Sequence, residues 1–407
     1  MTDHETAVIN QFAEDRAEVV GASRFFNNER VSQEALIRAP RTACGACASK
    51  CEGSKCEGSK CEGKKGEGRH VLAIQDTTEV NYADHDGKLK TSDPELGPVG
   101  NDQDVGFFFH PTLAIDAESS LPIGFAETDL WNRRWDKQDK HQRNYAHNYA
   151  QQPIEEKESY RWIQSSRQAK KTLRDADRVT IIADREGDIY EELVEVPDEQ
   201  ADVLIRSRSD RRLASSSEAS SSETEASTLY EHLKKRPSEG SYELEVTGNN
   251  GRRPRTARLE VRFGPVEVAK PKSNCHADTL PASVKLWALE AREVEAREVP
   301  ETVPAGEEPI CWRLLTSRSI ETFEQAREAI RDYGKRPKIE QVFRLLKSEG
   351  LRLEKSRLEK SQLESGAALK KLCLLAAQVA LPIREKVRKR PSSVWCEPCS
   401  VMSETAL

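Results

Sequence analysis

The chain has no excess of positive charge. Its 407 residues carry 63 Lys and Arg against 69 Asp and Glu, a formal net charge of −6. A uniformly basic nucleic-acid coat is thereby excluded, and contact with phosphate has to come from local clusters. A secretory signal is also missing: "MTDHETAVINQF" has no basic start followed by an apolar run, so the expected location is cytoplasmic. No long hydrophobic run occurs either. The longest nearly apolar stretch, "LCLLAAQVALPI" at 372–383, is too short to span a bilayer and reads as a buried helix, which argues against a membrane partner. Hydrophobic residues are only 36% of the chain and charged residues 32%, a balance that leaves room for solvated segments beside a core.

Positive charge does gather locally, in "RSRSDRR" at 206–212, "GRRPRTAR" at 251–258 and "REKVRKR" at 384–390. Each alone reads equally as a solvated loop; together they suit an anionic polymer, with Arg206 and Arg208 as candidate contacts. The 10 cysteines are expected to be reduced thiols in a cytoplasmic chain, leaving metal binding or no chemical role. Five of them fall between Cys44 and Cys61, three within the repeat "KCEGSKCEGSKCEGKK". Its five-residue period matches neither a C-x-x-C zinc grip nor one face of a helix, so it reads as a spacer grown by repetition. The "RLEKSRLEKSQLES" segment is a second short tandem repeat. "CGAC" at 44–47 and "CEPC" at 396–399 do have zinc spacing and keep open a zinc-stabilised interaction module.

The first 40 residues read as helical, with Ser32 placed to cap a second helix, and the composition from Thr42 to Gly68 reads as a flexible linker. "HVLAIQD", "GFFFHPTLAID" and "LPIGFAETDLW" then predict an antiparallel meander. A charged helix around 155–176 leads to "RVTIIAD", an unbroken apolar run suited to a strand buried on both faces, followed by helix "GDIYEELVEV" and strand "ADVLIRS". Strands in succession and then strands alternating with helices predict an α/β fold, a mixed sheet covered by helices on both sides. The Ser/Glu-rich run at 213–227 reads as an inserted loop, and four alternating segments within 228–316 predict an antiparallel patch. The remainder turns helical.

Asp76 closes the first of these strands and Asp184 the fourth, at the strand ends where α/β sheets usually place their sites. A turn-forming or helix-capping aspartate is the competing reading of each. In "YGKRPKIEQVFRLLK", Glu340, Arg344 and Lys347 are spaced four and three apart and share a helix face, with Tyr333 and Arg336 just before them. An ordinary surface ion pair is the competing reading of Glu340 and Arg344.

"AIQDTT", "ADREGDI" and the Y-x-x-R-x-x-x-E-x-x-x-x-x-x-K spacing of Tyr333, Arg336, Glu340 and Lys347 resemble bacterial cut-and-paste transposases of the insertion-sequence-four family, Tn-five type, over about residues 20 to 381. The resemblance implies an RNase H-like mixed sheet flanked by helices, with an antiparallel β insertion before the last catalytic helix. It carries an Asp-Asp-Glu triad onto Asp76, Asp184 and Glu340, which would bind two Mg2+ or Mn2+ ions. Such ions prefer oxygen ligands, and two of them about 4 Å apart activate a water or 3′-hydroxyl while stabilising the leaving oxygen of a phosphodiester. The implied partner is double-stranded DNA, cut at an element's ends and joined to a target. Tyr333, Arg336, Lys347 and Arg344 would hold its phosphates. Trp312 matches an aromatic residue that stacks on an extruded base, against the competing reading of a core tryptophan.

The corresponding expected domains are a helical segment at 1–41, shortened relative to the family's DNA-recognition region, and the linker at 42–69. The catalytic core follows at 70–212, the loop and β insertion at 213–316, the core's last helices at 317–381, and an irregular tail at 382–407. The chain departs from the family in having Pro337, which fits the first turn of a helix, where a tryptophan is usual after the arginine. It also stops soon after Ala380, where such transposases continue into a helical region that makes the homodimer. A truncated or decayed copy is the expectation from these ends. A metal-dependent nuclease without strand transfer, and a non-catalytic DNA-binding regulator, are the alternatives.

Overall fold

The computed structural model describes residues 7–9, 13–48, 69–83, 92–100, 103–135, 152–214, 228–246, 254–272, 279–294, 309–349, 351–355, 363 and 365–389. The Cys/Gly/Lys repeat, the Ser/Glu run from 215, most of the second tandem repeat, the side chains of the 384–390 cluster and "CEPC" lie outside the described residues.

Helices α1 (Arg16–Asn27) and α2 (Gln33–Ala48) come first. Ser32 caps α2 as its position predicts, its hydroxyl accepting the Ala35 N–H at 3.1 Å. Strands β1 (His70–Gln75), β2 (Thr78–Asn81), β3 (Gly97–Val99), β4 (Asp104–Asp116) and β5 (Pro122–Trp131) follow. Helix α3 (Tyr160–Thr172) precedes β6 (Arg178–Ala183), α4 (Tyr190–Glu195) and β7 (Ala201–Arg206). The rest is α5 (Leu229–Lys235), β8 (Gly240–Val246), β9 (Arg255–Ala269), β10 (Ser283–Glu293), β11 (Cys311–Thr316), α6 (Phe323–Tyr333), α7 (Pro337–Arg344) and α8 (Gly366–Lys389). The chain is thus mixed α/β. None of the described helices is long and apolar enough to cross a membrane.

The chain divides into two compact units, the first made of Met1–Tyr149, Gln164–Val179 and Pro337–Pro391 and the second built on Ala150–Ile163 and Thr180–Arg336. In the first unit β4 is the organising strand. It pairs antiparallel with β2 and β3 near its start, with β1 at its end and with β5 along most of its length. Its apolar run explains this: Phe107, Phe109, Leu113, Ala114 and Ile115 are all fully buried, so pairing on both edges and packing on both faces are required. Phe109 meets Phe125 and Phe343 edge-on, each at 6.4 Å, and this fixes α7 against β4.

Helix α2 extends beyond the expected start of the linker at Thr42. Cys44, Gly45 and Ala48 form its buried small-residue side. A Cβ at Gly45 would stand 2.6 Å from the Thr172 carbonyl oxygen, so the close approach depends on glycine. Within "CGAC", Cys44 and Gly45 pack inside while Cys47 is exposed. Burial pushes the Cys44 thiol up to about 12, the wrong direction for a metal-binding thiolate. Helix α8 likewise runs past 381, where an irregular tail was expected. Pro382 removes one intrahelical hydrogen bond, a local cost that the fully buried Ala368, Leu369, Leu372, Ala376, Ala377 and Ala380 outweigh. Lys371 on this helix donates to the Phe26 and Asn28 carbonyls at 3.1 and 2.9 Å, completing the carboxyl end of α1.

In the second unit the strand order is β6-β7-β11-β10-β9-β8. Helix α4 links β6 to its neighbour β7 in the strand–helix–strand manner of parallel pairs. The rest, β7 to β11 and on to β8, is antiparallel, so the antiparallel patch expected within 228–316 is present. Glu290 braces it: only 3% exposed, it accepts from Arg313 at 2.6 Å, Arg292 at 3.3 Å and Arg262 at 3.5 Å.

Candidate functional site

In the second unit, β6 is buried from Val179 to Ala183 and delivers Asp184 to its carboxyl end. The Asp184 carboxylate does two things at once. Oδ1 accepts the Glu186 N–H at 2.8 Å, capping the short turn Arg185–Gly187, so the capping role is real. Oδ2 is held by the Arg336 guanidinium at 3.1 Å. The turn is tight: a Cβ at Gly187 would stand 2.5 Å from Ala183 Cβ and 3.1 Å from the Trp162 ring.

Around this pair lie several residues of the sequence pattern. Tyr333, one turn before Arg336, meets Trp312 of β11 edge-on at 6.1 Å and hydrogen-bonds Arg206 of β7. Burial raises the Tyr333 hydroxyl pKa, with Arg206 and Arg336 opposing the rise, so the group remains neutral and its oxygen accepts from Arg206. Arg206 also donates to the Cys311 carbonyl at 3.2 Å. Trp312 is half-buried, intermediate between a core tryptophan and an open stacking platform. Arg208 is exposed, and its charge, with that of Arg336, acts on Glu186. The Glu186 carboxyl is raised by burial first and by Asp184 second.

Two acidic residues here were not singled out in the sequence. Asp188, its side chain 1% exposed, takes Arg211 at 2.7 Å and the Arg208 N–H at 2.7 Å, tying the basic "RSRSDRR" loop to the Asp184 turn. Arg211 is therefore a structural cation. Asp332, also 1% exposed, is clamped by Arg318 at 3.5 Å and Lys335 at 3.1 Å, which rigidifies the turn that carries Tyr333 and Arg336. Asp188 lies inside the marked "ADREGDI", and Asp332 directly precedes Tyr333.

In the first unit Asp76 follows β1 directly, and its Oδ1 accepts the Thr77 N–H at 2.9 Å. Glu340 is half-buried in the first turn of α7, which begins at Pro337 as its missing N–H allows. Arg344 is exposed. Lys347 departs from the expected single helix face. The α-helix ends at Arg344 and the backbone enters a π turn, Leu345–Glu349, which breaks the four-and-three spacing. Lys347 instead pairs with Glu354 at 3.5 Å, and Glu354 also accepts the Asn81 N–H at 3.1 Å.

The donor chemistry suits a hard cation. Asp184 offers carboxylate oxygen, is 27% exposed, and already attracts a positive group to Oδ2. The surrounding Arg206, Arg208 and Arg336 donors and the aromatic pair suit phosphate and base. No protein-family model matches this chain.

Proposed function

We propose that the chain is a DNA transposase of the Asp-Asp-Glu kind on an RNase H-like core, cutting DNA at element ends and joining the freed 3′-hydroxyl to a target. The observation that carries this reading is the second unit's cluster: a carboxylate at the end of a buried strand, paired with Arg336 and framed by Arg206, Tyr333 and Trp312. A carboxylate framed by arginines and aromatic rings serves a ligand that brings cation, phosphate and base together, as metal-loaded DNA does. The proposed ligands of two Mg2+ or Mn2+ ions are Asp76, Asp184 and Glu340. The metal, when bound, supplies an activated oxygen nucleophile and stabilisation of the leaving oxygen. Arg206, Arg208, Arg336, Arg344 and Lys347 supply positive donors to phosphate, and Trp312 a stacking face.

A cleavage and strand-transfer assay decides this, using DNA that carries the inverted repeats flanking the coding region, with Mg2+, and comparing wild type with Asp76→Ala and Asp184→Ala. Metal-dependent cut and joined products from wild type alone are expected. Equal activity in either variant refutes the mechanism. Cutting without joining identifies a nuclease, and binding without cutting identifies a non-catalytic DNA-binding regulator.

A further inference from the structure

A buried polar chain in the first unit runs past Asp76. Gln75, His110 and Ser166 are 0%, 1% and 0% exposed. His110 Nδ1 lies 2.8 Å from the Thr77 hydroxyl, and its Nε2 lies 3.3 Å from Gln75 Oε1. The Gln75 amide donates on to Ser166 Oγ at 2.6 Å. One imidazole thus grips the residue before Asp76 and the residue after it.

Strand geometry explains why that arrangement matters. Successive side chains alternate between faces, so Gln75 and Thr77 point to one side and Asp76 to the other. The β1–β4 register ends with Gln75 opposite Thr112 and the β2–β4 register resumes in step with Thr78 opposite Phe109, which brackets Thr77 against His110. Thr77 in turn gives its N–H to Asp76 Oδ1 at 2.9 Å. Gln75 Oε1 only accepts, so that contact is met by a proton on Nε2, while the Thr77 hydroxyl serves Nδ1 either as donor or as acceptor.

We propose that His110 is the positioning residue of Asp76: an imidazole carrying a proton at Nε2 that anchors both chain neighbours of the carboxylate and sets the direction in which it leaves the strand toward a divalent cation. This rests on the reading of Asp76 as a metal ligand. Outer partners that orient a ligating group typically change metal affinity 10- to 100-fold when removed.

The test is a Mn2+ titration followed by electron paramagnetic resonance on the full chain, with wild type, His110→Phe, Thr77→Val, the double variant and Asp76→Ala, together with the 15N spectrum of the His110 ring. The expected results are an Nε2–H tautomer, about tenfold weaker Mn2+ binding in each single variant, and no further loss in the double variant, because both act through one contact. Thr77→Val keeps shape and volume, so it carries the test if His110→Phe fails to fold. An Nδ1–H tautomer overturns the proposal. So does wild-type affinity in Thr77→Val when Asp76→Ala has lost binding. Wild-type affinity in Asp76→Ala overturns the metal reading itself, and this proposal with it.

Discussion

Replacing Arg336 by glutamine should tighten metal binding at Asp184. The guanidinium holds Oδ2 at 3.1 Å, and the two side chains are 14% and 27% exposed, between a surface pair and a buried one. Gross attraction at this separation is about 5 kcal/mol for an effective dielectric near 20, but solvent access and desolvation offset most of it, leaving about 1 kcal/mol net. A cation that ligates Asp184 has to displace that contact, so removing it is expected to raise Mn2+ affinity about fivefold. A short DNA duplex should erase the difference, because phosphate oxygens draw the wild-type guanidinium away with charge-assisted bonds of similar strength. Mn2+ titrations of wild type, Arg336→Gln and Arg336→Lys, with and without duplex, measure both effects. Unchanged or weaker binding in Arg336→Gln without DNA would refute the competition.

Glu290→Gln leaves three guanidiniums around a neutral amide and should cost about 3 kcal/mol, read from urea denaturation; a loss below about 0.5 kcal/mol removes Glu290 as the brace of the insertion. Gly187→Ala drives a Cβ against Ala183 and Trp162 and should cost about 1–3 kcal/mol in thermal unfolding, and an unchanged midpoint would show that the turn can shift freely. Cys44, whose pKa burial pushes up to about 12, should alkylate far more slowly at pH 8 than exposed Cys47, and equal labelling by peptide mass spectrometry would contradict its burial. Burial raises the Glu127 carboxyl above its ordinary 4.5, outweighing the Thr128 N–H and Arg41 that oppose it. A raised acid favours the folded state when protonated. Its contribution is therefore full below 4.5 and lost as pH rises through the folded value, and Glu127→Gln should flatten the stability profile in that window.

Segments with strong periodicity could be read directly. The unbroken apolar runs of β4 and β6 and the alternation in β8 to β11 predict strands because a period of two or a continuous run has few other uses. Strands β2 and β3 and helix α5 were not anticipated, being too short to show a period. Their place comes from pairing with β4 or packing in the second unit. The ends of α2 and α8 were misjudged for a related reason. Gly45 and Pro382 are local breakers, but in the fold a close helix crossing and a buried apolar face outweigh them.

At the candidate site, residue types and spacing marked Asp184, Arg206, Tyr333 and Arg336 without saying how they are bonded. A cation's partner is set by how the chain folds rather than by helical spacing: Arg336 takes Asp184, Arg211 takes Asp188, and Lys347 takes Glu354. Hydrophobic pattern, a local property, was enough to determine an α/β chain with strand-end carboxylates and an antiparallel patch. Tertiary structure alone decided which charges are spent on each other, which face Lys347 leaves through its π turn, and that a histidine inside "FFFHPT" grips both neighbours of Asp76. Those outcomes depend on distances across strands, which sequence spacing does not encode.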